Sequence, residues 1–197
     1  MPNKLPLKSG EFYHIYNRGN NRRLIFIDEE NYLFFLKLAK KHISPIAYIY
    51  AYALLPNHFH FLVQIKEDEL LEKQKIDNSK QVSQKFGNWF NAYTKAFNKK
   101  YNQVSSLFQS PFERTLLKRE DQFVYYVYYL HWNPQKHGYV DSFLDWPHTS
   151  FHSILSDKPT NLEREKVLES FGGKDLFFKS HVSWIKDKDF EVLDDEG

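Results

Sequence analysis

The chain has 197 residues, of which 42% are hydrophobic and 18% aromatic, so it is long and apolar enough for a packed domain and is not a disordered chain. It contains no cysteine, which excludes disulfides and thiolate metal sites. No apolar run reaches the roughly 20 residues of a membrane span, and residues 1–10 lack the apolar core of a signal peptide. These features predict a cytoplasmic protein in which any metal ion binds through histidine, carboxylate or amide oxygen.

The net charge of +2 conceals an acidic C-terminus. Residues 185–197 hold two lysines against six acidic residues, and the rest of the chain carries a net charge of +6. That positive excess is compatible with a polyanionic partner, although many domains that bind no polyanion carry a similar charge.

The first elements in chain order are a predicted strand and a predicted helix. Residues 11–17 are aromatic and β-branched, as in a strand, and residues 18–23 combine a turn with three arginines. Asp28 is the predicted N-cap of a helix that ends near His42, because apolar side chains recur there at helical spacing.

Two apolar strands follow, at residues 46–54 and 58–66, and their short connection favours an antiparallel hairpin. Residues 66–83 are polar and charged, which predicts a mobile excursion or a frayed helix. Aromatic residues then recur at spacings of three and four, which predicts a second helix over residues 82–100.

A fourth strand is predicted at residues 112–118 and a third helix over Glu120–Trp132, which the Asn133-Pro134 pair is expected to end. This order of elements predicts an α+β fold in which helices cover an antiparallel sheet. Beyond Ser156 the pattern weakens into a C-terminal extension.

His58 and His60 interrupt the apolar strand ALLPNHFHFLVQI (53–65). Because side chains alternate across a strand, both imidazoles point to the same face, roughly 6 to 7 Å apart, where they can reach one metal ion. The same spacing also arises by chance in a chain with nine histidines, so the pair alone leaves an ordinary structural role open.

The stretch VYYVYYLHWNP (124–134) carries the second group of candidate residues. On a helix, Tyr129 and Asn133 share a face, Tyr126 shares much of it, and Tyr128 is turned about 100° away. A tyrosine beside an amide oxygen is the combination that a tyrosine nucleophile next to a metal ion requires. Packing is the alternative role, since most of the chain's 13 tyrosines must lie in or near the core.

Taken together, these motifs identify a family resemblance. The motifs are YHIYNRGNNRRLIF (13–26), LLPNHFHFLV (54–63), QSPFERT (109–115), YYLHWNPQKHGYV (128–140) and DWPHTSFH (145–152). In this order they resemble the single-tyrosine HUH transposases, and among them the REP-associated tyrosine transposases. Members of this family cut single-stranded DNA next to hairpins, using a divalent metal ion and a tyrosine that becomes attached to a 5′ phosphate.

The resemblance implies a ferredoxin-like antiparallel sheet with the HUH motif, here His58-Phe59-His60, on a central strand. It covers residues 1–155 as the transposase domain and leaves 156–197 as an extension with a partly disordered acidic tail. Members assemble as monomers or as dimers that exchange the tyrosine helix, and a monomer is expected for this chain, with a homodimer as the alternative.

Residue by residue, the resemblance makes His58 and His60 metal ligands, Asn133 a further ligand through its side-chain oxygen, and Tyr129 the nucleophile. The implied cofactor is Mg²⁺ or Mn²⁺, and the implied partner is single-stranded DNA with a REP-like hairpin. Polar and basic residues near these motifs are candidate DNA contacts, although a solvated surface is their ordinary role; they are Arg18, Asn20, Arg22, Arg23, Arg114 and Lys136.

The sequence was also compared with two other functions. A two-histidine phosphoesterase needs two His-x-Ser/Thr motifs on paired strands, but only His148-Thr149-Ser150 fits. The alternative is a domesticated hairpin-binding protein of the same fold that does not cleave DNA. Retained chemistry is favoured because four residues that such a protein could lose are all present: His58, His60, Tyr129 and Asn133.

Overall fold

The computed structural model of the protein describes residues 5–186 and is built around a four-stranded antiparallel sheet. In chain order the elements are β1 (Phe12–Arg18), α1 (Glu29–His42), β2 (Ala47–Leu55), β3 (His58–Ile65), α2 (Asp68–Glu72), α3 (Ser79–Lys100), β4 (Glu113–Leu116), α4 (Glu120–Lys136), α5 (Phe151–Leu155), α6 (Arg164–Ser170) and α7 (Lys174–Lys186). Within these residues no helix is long and apolar enough to cross a bilayer.

The strands lie in the order β2-β3-β1-β4, and every neighbouring pair is antiparallel. With α1 between β1 and β2 and α3 between β3 and β4, this is the ferredoxin-like arrangement. The predicted α+β class is confirmed, and so is the position of the HUH motif on a central strand, because β3 has a partner on both sides.

Helices cover both faces of the sheet. On one face α1 and α3 pack against aromatic and aliphatic side chains such as Phe35, Phe61 and Trp89. On the other face α4 packs against the sheet. Val127 of α4 and Leu62 of β3 belong to the same buried apolar cluster there. Because successive side chains of β3 point to opposite faces of the sheet, its phenylalanines lie in the core beneath α1 and α3. Its histidines face α4, the helix that carries the candidate tyrosine.

Local capping fixes where the helices begin. Asp28 accepts a hydrogen bond from the backbone N–H of Asn31 at 3.1 Å, while the Asn31 side chain accepts from the backbone of Asp28, which confirms the predicted N-cap of α1. Asn78 caps α3 by accepting from the Gln81 N–H at 3.0 Å. The helix therefore begins at Ser79, inside the segment predicted as mobile or frayed, which also contains α2.

The prediction that Asn133-Pro134 ends the third helix is wrong. Helix α4 continues to Lys136, with Pro134 inside it. A proline removes one backbone donor but keeps its carbonyl, and here the Asn133 and Pro134 carbonyls accept from the N–H groups of His137 and Tyr139, each at 3.0 Å. The final turn therefore stays helical, and Asn133 lies within the helix one turn after Tyr129.

The region after residue 155 contributes to the second core. Helices α6 and α7 bury Val167, Phe177 and His181 completely, alongside residues of α4 and α5. The predicted extension therefore packs against α4, which in turn lies on the sheet. The acidic tail predicted to be partly disordered spans residues 185–197, of which residues 187–197 lie outside the described part of the chain.

The outer edge of β2 is covered by the chain itself. The Leu54 N–H donates to the His148 carbonyl at 2.9 Å, and the Tyr52 carbonyl accepts from the Ser150 N–H at 2.9 Å. Farther along, the Ile49 carbonyl accepts from the Glu163 N–H at 2.8 Å. These contacts attach the segment after α4 to the sheet.

Candidate active site

His58 and His60 lie on the α4 face of the sheet, as predicted, with ring centroids 5.2 Å apart. Both side chains are buried, at 6% and 2% exposure. The register with β1 places Arg18 opposite His58 and Tyr16 opposite His60, so these two side chains lie on the same face. Strand pairing therefore creates one surface that carries two imidazoles, a phenol and a guanidinium.

Helix α4 runs across this surface with the candidate nucleophile beside the second histidine. The Tyr129 ring lies 5.9 Å from the His60 ring, and the His137 ring, two turns later, lies 5.0 Å from His58. Asn133 occupies the turn between them and is fully buried. The structure thus brings together two pairs of residues, His58 with His60 and Tyr129 with Asn133, and the pairs lie roughly 70 positions apart in the sequence.

The ring orientation of each histidine is fixed through its Nδ1 atom. His58 Nδ1 lies 2.6 Å from Asn57 Oδ1, an acceptor, so this nitrogen carries the proton and Nε2 of the neutral ring keeps its lone pair. His60 Nδ1 lies 2.9 Å from Nε2 of His14. In both cases Nε2 is the nitrogen directed away from these partners.

Burial keeps the imidazoles at the centre of this site neutral. Desolvation, together with the neighbouring rings of His14, His58 and His137, holds the pKa of His60 well below its usual value. Desolvation alone lowers the pKa of His14 to about 3. A neutral imidazole is the form that binds a metal ion, so His60 is ready to bind at pH 7 without losing a proton.

The donor atoms fit a divalent metal ion. Among the described residues, Nε2 of His60 and both side-chain amide atoms of Asn133 are buried without a hydrogen-bond partner. Such groups are costly to bury unless something else satisfies them. Imidazole nitrogen and amide oxygen are both ligands for Mn²⁺ and Mg²⁺, with nitrogen favouring Mn²⁺.

The predicted DNA-contacting residues fall into separate groups. Lys136 lies next to the candidate nucleophile, with Nζ 5.2 Å from the centre of the Tyr129 ring, and Arg18 lies on the same face as His58. Arg114 does not lie there. It pairs with Ile15, points to the opposite face, stacks on Phe112 and donates to Ser83 Oγ at 2.8 Å.

Asn20 and Arg22 lie in a short 3₁₀ turn that follows β1 after one residue, and Arg23 is the C-cap of that turn. The Asn20 amide donates to the carbonyls of Ser106 and Phe108, both at 3.0 Å, and thereby holds the turn against the strand-like segment before β4. Arg22 is exposed, and Arg23 is partly exposed and donates to Ser105. The turn presents positive charge close to the end of β1 that carries Arg18.

Two residues that orient the candidate ligands were not selected from the sequence. Asn57 and His14 contact the candidate ligands His58 and His60 through the Nδ1 atoms. Asn57 could have been selected, because it lies in the turn immediately before His58. His14 could not, because its approach to His60 depends on the register of β1 against β3.

The chain has named relatives, although no protein-family model matches it. A Haemophilus influenzae protein assigned to the REP-associated tyrosine transposases is 30% identical over 136 residues, covering 67% of this chain and 71% of that protein. The REP-associated tyrosine transposase of Escherichia coli is 23% identical over 147 residues, covering 74% and 79%.

A solved structure of a REP-associated tyrosine transposase bound to a REP hairpin has the same fold. It matches with a TM-score of 0.57 at 21% identity, over 81% of this chain and 88% of that one. With the 30% identity to the Haemophilus influenzae protein over about two thirds of both chains, this protein belongs to the family of REP-associated tyrosine transposases.

Proposed function

We propose that this transposase-family protein cuts and rejoins single-stranded DNA next to hairpins, with Tyr129 as nucleophile and a divalent metal ion as cofactor. The observation that carries the proposal is the alignment of helix α4 on β3. Tyr129 lies beside His60, and Asn133 is buried one turn later with its side-chain amide atoms lacking partners among the described residues.

The residues that would hold the metal ion are His58, His60 and Asn133. All three are uncharged when they bind, so they would leave the full positive charge of the ion to act on a phosphate. When bound, Mg²⁺ or Mn²⁺ would supply Lewis-acid stabilisation of charge on the non-bridging phosphate oxygens.

Tyr129 would carry out the covalent step. Its phenol loses a proton, its Oη atom forms a bond to phosphorus, and the bond from phosphorus to the 3′ oxygen breaks. The departing 3′ oxygen takes up a proton and becomes a free hydroxyl, while the 5′ phosphate remains on the tyrosine. The phosphodiester bond energy is retained, so the reverse reaction with a 3′ hydroxyl rejoins strands without ATP.

Attack by Tyr129 requires loss of its phenolic proton, and an unperturbed phenol, with a pKa near 10, keeps that proton at neutral pH. Lys136 supplies positive charge at the ring, with Nζ 5.2 Å from its centre. A nearby cation favours the phenolate, so Lys136 would promote loss of the phenolic proton as well as attract DNA.

The DNA partner is inferred from charge and from the relatives. Arg18 and Lys136 border the site, and the turn with Asn20, Arg22 and Arg23 extends this basic surface. Such side chains suit phosphate contacts that position a DNA strand without reading its sequence. The solved relative is bound to a REP hairpin, which supports a hairpin of that kind as the partner.

The test is the formation of a covalent protein–DNA adduct. Labelled single-stranded hairpins from the flanks of the gene are incubated with the protein and Mn²⁺ or Mg²⁺, and adducts that survive denaturing electrophoresis are counted. We expect an adduct in the unmodified protein and none in Tyr129→Phe or His58→Ala. Tyr128→Phe is the matched control, because Tyr128 packs against Phe171 and Trp184 on another face of α4.

Other outcomes assign the function differently. An adduct that persists in Tyr129→Phe and disappears in Tyr126→Phe would move the nucleophile by one helical turn. Hairpin binding without an adduct, at any metal concentration tested, would favour the domesticated protein that binds hairpins and does not cleave them.

A further inference from the structure

We propose that His14 is a positioning residue that holds His60 in the tautomer whose Nε2 atom is free to bind a metal ion. The inference rests on the proposed metal site and assigns a role to a residue outside its ligand set. It is carried by one contact, between His14 Nε2 and His60 Nδ1 at 2.9 Å.

Strand register brings the two rings together. His14 pairs directly with Leu62, and Tyr16 pairs with His60, so His14 and His60 are diagonal neighbours on one face of the sheet. Their rings are nearly parallel, with centroids 5.1 Å apart. Both are buried, at 0% and 2% exposure, so solvent does not replace either partner.

The direction of the proton between the two rings decides whether His60 can bind a metal ion. A neutral imidazole has one N–H donor and one acceptor nitrogen. If His60 Nδ1 donates to His14, then His60 Nε2 carries a lone pair. If His14 donates instead, the proton of His60 moves to Nε2 and blocks coordination. A metal site at His60 therefore requires His14 Nε2 as the acceptor.

The His14 ring is itself held in place. Tyr16 stacks on it with centroids 4.8 Å apart and planes at 20°, and Tyr126 covers it at 4.7 Å. Among the described residues its other nitrogen, Nδ1, has no hydrogen-bond partner. The contact to His60 is thus the polar interaction that explains a buried imidazole at this position.

Asn57 has the equivalent relation to the other candidate ligand. Its Oδ1 atom accepts from His58 Nδ1 at 2.6 Å. Both histidines are therefore oriented by an uncharged acceptor, where many metal sites use a carboxylate. Uncharged partners add no negative charge next to the ion, which suits a site that must act on a phosphate.

The first test measures Mn²⁺ affinity in the absence of DNA, by electron paramagnetic resonance of the free ion. His14→Phe keeps a ring between Tyr16 and Tyr126 but removes the acceptor, and we expect Mn²⁺ to bind about 10- to 100-fold more weakly. His14→Gln keeps an acceptor oxygen and is expected to restore most of the affinity.

The matched control is His181→Phe. His181 also belongs to a fully buried histidine pair, in which its Nε2 atom lies 2.9 Å from Nδ1 of His131, but that pair lies away from β3. We expect His181→Phe to lower stability and to leave Mn²⁺ affinity unchanged. Equal losses in both Phe variants would mean that metal binding follows general stability, and would overturn the role of His14.

A second measurement needs no variant. Long-range ¹⁵N–¹H correlation spectra of the metal-free protein distinguish the two imidazole tautomers, and we expect a proton on Nδ1 of His60 with Nε2 unprotonated. A proton on His60 Nε2 would overturn the proposal. If the unmodified protein bound no Mn²⁺ at all, the proposed metal-dependent function would fail, whereas unchanged binding in His14→Phe would remove only the role of His14.

Discussion

Nδ1 of His131 lies 2.9 Å from Nε2 of His181, and this buried contact joins the helix that carries Tyr129 to the C-terminal helix α7. Its proton directions are determined by the Phe177 carbonyl, which accepts from His181 Nδ1 at 2.7 Å. His181 Nε2 must then accept from His131. At the other end of the chain of bonds, His131 Nε2 accepts from the Ser150 hydroxyl at 2.7 Å.

This pair predicts a loss of stability in mild acid. Burial lowers the pKa of His181 to about 4, whereas an unfolded histidine has a pKa near 6.5. Between these values the unfolded chain binds the proton and the folded protein does not, so the free energy of unfolding falls as pH drops from 6.5 towards 4. At pH 5, His181 alone should account for about 2 kcal/mol of this loss relative to pH 7.5.

Urea unfolding at pH 7.5 and pH 5.0 checks this expectation. In His181→Phe the difference in unfolding free energy between the two pH values should shrink by about 2 kcal/mol. Parallel pH profiles for the two proteins would show that His181 titrates normally in the folded state.

Removal of the C-terminal helices should destabilise the sheet and α4. A chain ending after residue 155 lacks Val167 and Phe177, which are fully buried in the second core. Burial of each such side chain contributes about 1.5–3 kcal/mol, so we expect a fall in melting temperature well beyond that of a surface change. A chain ending after residue 186 is the comparison; equal melting temperatures would show that α6 and α7 fold independently of the core.

Asn133→Asp should lower the stability of the metal-free protein and raise its affinity for Mn²⁺. The position is fully buried, so an unpaired carboxylate there is expected to lower the free energy of unfolding in EDTA by about 3–5 kcal/mol if it stays ionised. The melting temperature in EDTA should fall accordingly. A charged oxygen ligand should also bind Mn²⁺ more tightly, and Mn²⁺ should raise the melting temperature more than in the unmodified protein. Equal Mn²⁺-induced shifts in both proteins would place Asn133 outside the ligand set.

Lys136 and Arg114 should differ in their effect on hairpin binding. Lys136 borders the candidate site, whereas Arg114 is turned to the opposite face of the sheet. We expect Lys136→Gln to weaken binding and to reduce the slope of log affinity against log salt by about one, because one phosphate contact is lost. Arg114→Gln should leave both quantities unchanged. A reduced salt slope in Arg114→Gln would indicate that DNA reaches the other face.

Local sequence patterns were sufficient for the four strands, for the three longest helices apart from some of their ends, and for each half of the site. Alternation in β3 predicted that His58 and His60 share a face, and helical spacing predicted the same for Tyr129 and Asn133. That the two halves meet came from family resemblance, since spacing within one element contains no information about its partner. The structure brings them together because α4 crosses the sheet above β3.

The remaining features depend on contacts between distant segments. The face occupied by Arg114 follows from the register of β4 against β1, which pairs it with Ile15. The last turn of α4 persists past Pro134 because the following loop donates to its carbonyls. Likewise, α7 is weakly patterned as a sequence, and its role becomes visible only where Phe177 and His181 meet the second core.

The covered edge of β2 restricts how this protein can associate with other chains. An open strand edge is a template onto which another polypeptide can add a strand. Here the segment around His148 and Ser150, and then Glu163, hydrogen-bonds along β2 and shields the longer outer edge of the sheet. Within residues 5–186 the other outer strand is β4, which is only four residues long and carries Glu113 and Arg114. Growth of the sheet by edge-to-edge stacking is therefore disfavoured at both ends.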